Sequence, residues 1–487
     1  MRRRAAAGLL LVPLLAACVS APARQQPEIR VALPERWTAG ASPGEAAVDA
    51  EWWTSFGDPA LSELIPIALG ENRELAAVVA RLDRAAAEAR IAGADLKPSL
   101  AATVSSSRQR QNFIGLPIPG FDGVLTTTTS RHGVSLDSSW EIDLWGRIRA
   151  GARAALAELQ ATEAELRGAR LSIAAQTART WFAALEARQQ LELARESAAS
   201  FRSSADYVRS RFEQGLRPAV ELRLALSNLA SAEALEQQRE VQLDRATRQL
   251  EVLLGRYPAG NLLEAFGREP MPKPPAAVPA GLPAGLISRR PDLISAERRL
   301  VAADQRYRQA RRSLYPRLSL TGSGGTATDE LSELLDGDLR VWSLIGGLTQ
   351  PLFQGGRLRA GVERADATSR EALAAYASTA LRAFAEVESA LAAERHLAER
   401  ERHLAEAAEQ LAAARRLAEE RYASGVGLYI TVLESQTRAL TAASTLLEVR
   451  RVRLDNRVDL HLALGGGFET TDPVSAPAAP ARPEGAS

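Results

Sequence analysis

Two ladders of apolar residues repeat at every seventh position, the spacing of helices that pack in coiled coils. The first ladder is Leu222, Leu229, Leu243 and Leu250, with Glu236 at the one other position, and the second is Leu433, Leu440, Leu447 and Leu454. Each ladder ends at a glycine, Gly255 or Gly465. We therefore predict two helices that end at these glycines, each packed against neighbouring helices.

The stretches before the ladders predict unusually long helices. Residues 147 to about 213 and 357 to about 423 are rich in Ala, Leu, Glu and Arg and contain no proline. At 1.5 Å per residue, about 65 residues form a rod of roughly 100 Å. Each rod stops at a turn containing Gly215 or Gly425, and glycine supplies positive φ in such turns. The sequence therefore predicts two long helical hairpins. Hairpins of this length suit a coiled coil or a tunnel rather than a compact domain.

A period of two residues appears in "GVSLDSSWEIDLWG", residues 133–146. Its apolar positions are Val134, Leu136, Trp140, Ile142 and Leu144, and its polar positions are Ser135, Asp137, Ser139, Glu141 and Asp143. Such alternation is typical of a membrane strand with lipid on one face and water on the other, although a half-buried strand of a soluble sandwich has the same period. Weaker strands are predicted near residues 99, 317 and 339. Four strands cannot close a barrel, so a membrane-spanning form requires several chains.

The chain is an internal duplication. Three marker pairs are each 210 residues apart: Gly146-Arg147 and Gly356-Arg357, Arg211 and Arg421, and Gly255 and Gly465. Each half begins with a helix, predicted at roughly 60–95 and 291–313, that ends before a proline. We predict a first repeat over residues 18–255, a Pro-rich linker over 256–286, a second repeat over 287–465 and a disordered tail over 466–487.

The first 18 residues, "MRRRAAAGLLLVPLLAAC", have a basic region, an apolar region and the only cysteine of the chain, in that order. We predict a lipoprotein signal peptide over residues 1–17 and covalent lipid on Cys18. An ordinary signal peptide with a chance cysteine is the alternative. No cofactor is expected apart from this lipid.

The net charge and the candidate reactive residues argue against several classes of function. The net charge of +1 gives no support to a nucleic-acid partner. His396 and His403 lie seven residues apart on one predicted helix, whereas a helical zinc pair needs a spacing of four. With no recognisable nucleophile, phosphate loop or metal cluster, we predict that the protein is not an enzyme.

Five segments in order resemble one family: "EWWTSFGDPALSELIPIALGENREL", "SWEIDLWGR", "SRRPDLISAERRL", "QPLFQGGRLRA" and "RYASGVGLYITVLESQ". The chain resembles the TolC-like outer membrane factors, especially their OprM/NodT-like lipoprotein branch, over nearly all of its mature length. The resemblance implies a mainly α homotrimer, in which each protomer gives four strands to a twelve-stranded outer-membrane β-barrel continuous with a periplasmic α-helical barrel.

The resemblance also implies the function and the partners. The protein would be the outer-membrane exit duct of a tripartite efflux system, joined to a periplasmic membrane-fusion adaptor and an inner-membrane RND-type transporter. It would export drugs or other small toxic compounds from Gram-negative bacteria and would contact outer-membrane lipid. A type I protein-secretion or heavy-metal efflux duct is the alternative. A periplasmic adaptor lipoprotein fits less well, because adaptors have one hairpin and this chain has two.

The same resemblance places the functional residues at the hairpin turns. Adaptor contacts are implied for tip residues 212–220 and 422–430, and in particular for Gly215, Leu216, Arg217, Gly425, Val426, Gly427 and Leu428. Glu434 matches an acidic family position that rings the closed periplasmic gate, with a longer side chain than the family's aspartate. Thr431 occupies a position that is acidic in some relatives, and Glu221 is its counterpart in the first repeat, so both are candidate gate residues.

Overall fold

The computed structural model describes residues 36–40, 51–113, 125–266, 270–275 and 283–466. The predicted signal peptide, Cys18 and residues 467–487 of the predicted tail lie outside the described residues, as does part of the linker. The helices are α1 (Pro59–Glu71), α2 (Arg73–Ala94), α3 (Arg147–Glu213), α4 (Ala219–Leu253), α5 (Leu262–Phe266), α6 (Pro283–Arg289), α7 (Pro291–Arg312), α8 (Arg357–Ala423) and α9 (Tyr429–Ala463). The strands are β1 (Ser99–Phe113), β2 (Leu125–Ile142), β3 (Arg317–Thr328) and β4 (Arg340–Thr349).

Two long hairpins dominate the fold. The rods α3 and α8 each contain 67 residues, and the return helices α4 and α9 each contain 35. The predicted rods are confirmed, and each is about 100 Å long. The ladder leucines are buried or half-buried, with Leu250 and Leu454 fully enclosed. Glu236, the exception, pairs with Arg195 of α3.

The prediction of one helix over residues 60–95 is wrong. The structure divides this segment at Asn72, whose backbone is extended (φ −63°, ψ 127°). The Asn72 side chain accepts a hydrogen bond from Leu75 N at 2.9 Å, which caps the first turn of α2. Its Nδ2 also donates to Leu253 O at 2.9 Å, so this break holds the end of α4.

The four strands form one antiparallel sheet in the order β1-β2-β3-β4. Val134 lies opposite Val104 and Thr326, which fixes the two faces because paired residues point the same way. The apolar face carries Leu100, Val104, Val134, Leu136, Trp140, Ile142, Leu318, Leu320, Trp342, Leu344 and Leu348. On the polar face, Asp137 accepts hydrogen bonds from Thr103, Ser135 and Ser323 at 2.6–2.9 Å.

The predicted alternation extends two residues too far. Strand β2 ends at Ile142, and the Asp143 carboxylate accepts hydrogen bonds from the backbone N–H groups of Ile148 and Arg149 at 3.1 and 2.8 Å. Asp143 therefore satisfies the first turn of α3 instead of continuing the strand. Leu144 follows in the connection and is exposed.

The largest apolar core surrounds the middle of α3. Trp52, Phe56, Trp181 and Phe182 are at its centre, with leucines from α1, α4 and α9 around them. The Trp181 indole N–H donates to Asp58 Oδ2 at 2.7 Å inside this core. Along the described helices, none is both long enough and apolar enough to cross a membrane.

The two rods differ in burial within one protomer. Rod α3 contributes to the apolar cores along most of its length. Over its whole described length, α8 buries only Ser369, Ala383, Val387, Ala390 and Tyr422. The duplicated halves therefore have the same elements but unequal exposure, and most of α8 is left open.

Candidate functional site at the hairpin tips

Both tips use the same helix-ending geometry. In the first, Gly215 N–H donates to Phe212 O at 2.8 Å and Leu216 N–H donates to Arg211 O at 2.9 Å. This pair of bonds is the Schellman motif, which needs a left-handed residue after the helix. Gly215 has φ +72°, and Gly425 has φ +80° in the second tip, where the equivalent bonds recur. The predicted positive φ of these two glycines is confirmed.

Gly427 serves the second tip differently. It does not have positive φ, and its N–H donates to Arg421 O at 3.0 Å. A Cβ at this position would lie 2.9 Å from Tyr422 N. Glycine is therefore required here by the close approach of two backbone segments rather than by the turn conformation.

Tyr422 connects the two hairpins. Its side chain is buried, and its hydroxyl donates to Glu221 Oε2 at 2.9 Å, across 201 positions of sequence. The Arg217 guanidinium lies 4.7 Å from the Tyr422 ring centroid and 3.8 Å from Glu221. Burial, together with the hydrogen bond to a carboxylate, raises the pKa of Tyr422 well above its usual range. The hydroxyl is thus held as a donor.

Two further tyrosines complete this cluster. The Tyr429 and Tyr422 ring centroids are 5.2 Å apart, and those of Tyr207 and Tyr422 are 5.9 Å apart. Burial raises the pKa of Tyr429 to about 12. In the first repeat the counterpart of Tyr422 is Phe212, which is 38% exposed. The repeats therefore differ at the tip, because only the second contributes a buried aromatic residue there.

Gln436, two residues beyond Glu434 on α9, forms a second connection. Its Nε2 lies 3.3 Å from the hydroxyls of Ser200 and Ser204 on α3 and 2.9 Å from Glu419 Oε1 on α8. The side chain is buried. It therefore fixes the rotation of α9 against both rods.

The three predicted gate residues lie in two different environments. Glu434 and Thr431 are exposed on one side of α9, in a stripe with Arg438. Glu221 is instead engaged by Tyr422 and Arg217 within the protomer. Their roles in a gate remain predictions.

The predicted adaptor-contact residues are mostly at the surface. Leu216, Val426 and Leu428 are 59%, 73% and 70% exposed. Arg217 is turned inward toward Tyr422, so it supports the tip from inside. Val220 and Ile430 end the two predicted tip segments and are also exposed, at 67% and 50%.

An ionic network between α3 and α9 was missed by the sequence analysis. Arg451 pairs with Glu186 and Asp455, and Arg179 pairs with Asp459. Burial raises the pKa of Asp455 to about 6. In the sequence, these charges resemble the solvated face of an Arg- and Glu-rich helix. Among the described residues, no group of three or more His, Cys, Asp or Glu side chains is placed to hold a metal ion.

Known proteins share this arrangement over almost the whole chain. Residues 64–256 and 282–466 match the outer membrane efflux protein family. Outer membrane protein OprJ of Pseudomonas aeruginosa is 34% identical over 466 residues, with 95% of each chain covered. The pyoverdine export outer membrane protein OpmQ of Pseudomonas putida is 32% identical over 479 residues, covering 96% of this chain and 98% of OpmQ.

A solved structure gives the same result for the fold. The Campylobacter jejuni CmeC outer membrane channel superposes with a TM-score of 0.83 at 25% identity, covering 93% of this chain and 96% of CmeC. Long paired hairpins below a small two-faced sheet define the outer-membrane channel class. The chain belongs to the outer membrane efflux protein family. It is an outer-membrane efflux channel that extends into the periplasm, which confirms the resemblance seen in the sequence.

Proposed function

We propose that the protein is the passive exit duct of a tripartite pump that exports drugs or other small toxic compounds, and that it carries out no chemical step. The observation that carries this proposal is the joining of a sheet with one apolar face to two 67-residue rods. Such a sheet suits lipid on one side and water on the other. The rods are long enough to continue the water-filled path for about 100 Å.

The working form is a homotrimer with a twelve-stranded barrel. Strands β1 and β4 are the two open edges of the protomer's sheet, and open edges are not tolerated in lipid. The apolar residues near these edges, Leu100, Val104, Leu344 and Leu348, are each more than 60% exposed. The open surface of α8 likewise calls for a neighbour. Adjacent copies would cover both surfaces.

The tips form the periplasmic gate. Three copies of exposed Glu434 would ring the tunnel mouth with negative charge, which favours cations. The bond between Tyr422 and Glu221 would hold the second hairpin against the first and keep the mouth narrow. Glu434→Ala should change single-channel conductance and cation preference, whereas Glu409→Ala, at an exposed site away from the tip on α8, should change neither. If neither variant changes conductance or cation preference, Glu434 is not a gate residue.

The exposed apolar tip residues are proposed to dock a periplasmic adaptor, which in turn joins an RND-type transporter. Leu216 and Leu428 supply apolar contact at the far ends of the rods. Lipid on Cys18, the first residue of the predicted mature chain, would anchor the protein to the outer membrane.

Membrane fractionation and channel recording test the proposal together. The full chain should sediment with outer membranes, run as a trimer in SDS, and give discrete conductance steps in a planar bilayer. A monomer that salt washing releases whole, with no conductance, would overturn the proposed duct.

A further inference from the structure

An arginine-lined cleft lies where the helices meet the sheet. It has a volume of about 550 Å³ and lies between α7 and α8, beside the first residue of α3. Its walls include Arg147, Arg306, Arg357 and Arg364, and none of the described residues that line it is acidic. Four guanidinium groups around one open volume repel one another, because like charges share the site.

Two of these arginines are balanced by carboxylates outside the cleft. Arg147 makes a bidentate contact to Glu141, with Nη2 2.9 Å from Oε1 and 2.8 Å from Oε2. Arg306 Nη1 lies 2.8 Å from Glu158 Oε1. These ion pairs hold the side chains in place at the edge of the cleft. They account for two of the four positive charges.

The other two arginines carry charge that the described part of the chain does not balance. Arg357 bonds to a neutral group, with Nη2 2.8 Å from Gln354 Oε1. Within the described residues, neither Arg357 nor Arg364 has a carboxylate oxygen within 4.0 Å. Within one protomer, two positive charges of the cleft therefore have no ion-pair partner among the described residues, and an anion would neutralise them.

The position of Arg147 indicates the side from which the cleft is reached. Its partner, Glu141, alternates with Asp137 and Ser139 on the polar face of the sheet. In the proposed duct this face lines the water-filled path. The cleft then lies beside that path, at the level where the sheet ends and the rods begin.

We propose that this cleft is an anion-binding site that takes phosphate or carboxylate groups, with Arg357 and Arg364 as its principal ligands. Guanidinium groups bind both kinds of anion through paired N–H donors. The site deepens the proposed function, since it would give an anionic solute a binding position inside the duct. A phospholipid headgroup at the sheet–helix junction could supply the same phosphate chemistry.

Calorimetry on the purified full chain in detergent tests the site directly. Inorganic pyrophosphate and citrate are titrated into wild type, Arg357→Gln, Arg364→Gln and the double variant. Removing two charge-assisted contacts should weaken binding at least about tenfold in the double variant. Arg359→Gln is the matched control, because Arg359 is exposed on the same helix and does not line the cleft. It should bind like wild type.

Two further measurements separate the source of the anion from the duct itself. If the headgroup occupies the cleft, wild type should retain more phospholipid phosphorus after detergent exchange than the double variant does. If a free solute occupies it, retention should be equal and pyrophosphate should reduce wild-type channel current. Each single variant keeps one of the two proposed ligands, Arg357 or Arg364. If the double variant does not fold, weaker binding by the single variants still tests the site.

Absence of pyrophosphate and citrate binding together with equal phospholipid retention would overturn the site, as would equal binding by wild type and the double variant. If wild type still showed normal conductance steps, that result would not contradict the proposed function as a duct. Loss of conductance in wild type would instead count against the duct.

Discussion

Replacing His461 should change the acid stability of the protein. His461 is only 5% exposed and stacks on Trp52, with ring centroids 5.2 Å apart. Neither ring nitrogen has a hydrogen-bond partner among the described residues. Burial, with a smaller contribution from nearby Arg457, lowers the pKa of His461 from 6.5 to about 4. The folded protein therefore keeps the imidazole neutral at pH values where the unfolded chain protonates it.

The sign and size of the effect follow from proton linkage. Below pH 6.5 the unfolded state binds a proton that the folded state excludes, so stability falls as the pH falls. The loss continues until about pH 4, where folded His461 also protonates. Each pKa unit corresponds to 1.36 kcal/mol, so the full penalty is about 3 kcal/mol per protomer. His461→Leu, similar in volume and without a titrating group, should lack this penalty.

The assay is unfolding of the purified protein in detergent, followed by tryptophan fluorescence at pH 7.5 and pH 4.5. Wild type should lose more stability than His461→Leu between these two pH values, by about 2–3 kcal/mol. Any fixed packing cost of leucine cancels in this comparison. His403→Leu is the control, since His403 lies exposed on α8, and it should follow wild type. Equal acid sensitivity in wild type and His461→Leu would refute the reasoning.

Three other variants test the tip and the ionic network. Tyr422→Phe removes a hydrogen bond to a carboxylate worth about 1.5–3 kcal/mol; bilayer recordings should show roughly tenfold more open time, and Tyr257→Phe, at an 87% exposed site, should show no change. The raised pKa of Asp455, about 6, makes stability fall as the pH rises from 3.8 through 6. Asp455→Asn should therefore unfold at a higher temperature than wild type at pH 7.5 but not at pH 4, and a uniform shift would contradict this. Val426→Asp places a charge on a 73% exposed apolar tip residue; export should fail in a drug-susceptibility assay while SDS-resistant trimers persist, and unchanged resistance would exclude Val426 from docking.

Features that depend on near neighbours along the chain could be predicted from the sequence. Long runs without proline predict α3 and α8, and the structure places both within a residue or two of the expected limits. Gly215 and Gly425 end those helices because a local hydrogen-bond pattern needs positive φ there. The two-residue alternation around Asp137 likewise predicts a two-faced strand. The family resemblance then identified the class of channel.

The sequence predicted element boundaries less well where a polar side chain could bond to either of two partners. Asn72 could have continued a helix, but its bonds to Leu75 and Leu253 end α1 and begin α2. Asp143 could have continued β2, but its carboxylate caps α3. The partners of Asp143 lie in the next helix along the chain, whereas the Leu253 partner of Asn72 becomes available only after α4 has packed beside it.

The contacts between the two hairpins could not be predicted from the sequence. Tyr422 and Glu221 are 201 positions apart, and Gln436 and Ser200 are 236 apart. Their meeting depends on the rotation and register of long helices packed side by side, to which every residue along the interface contributes. The exposure of α8, the burial of Asp455 and the convergence of Arg147, Arg357 and Arg364 have the same origin. Helical periodicity indicates which residues share a stripe, but packing determines what that stripe faces.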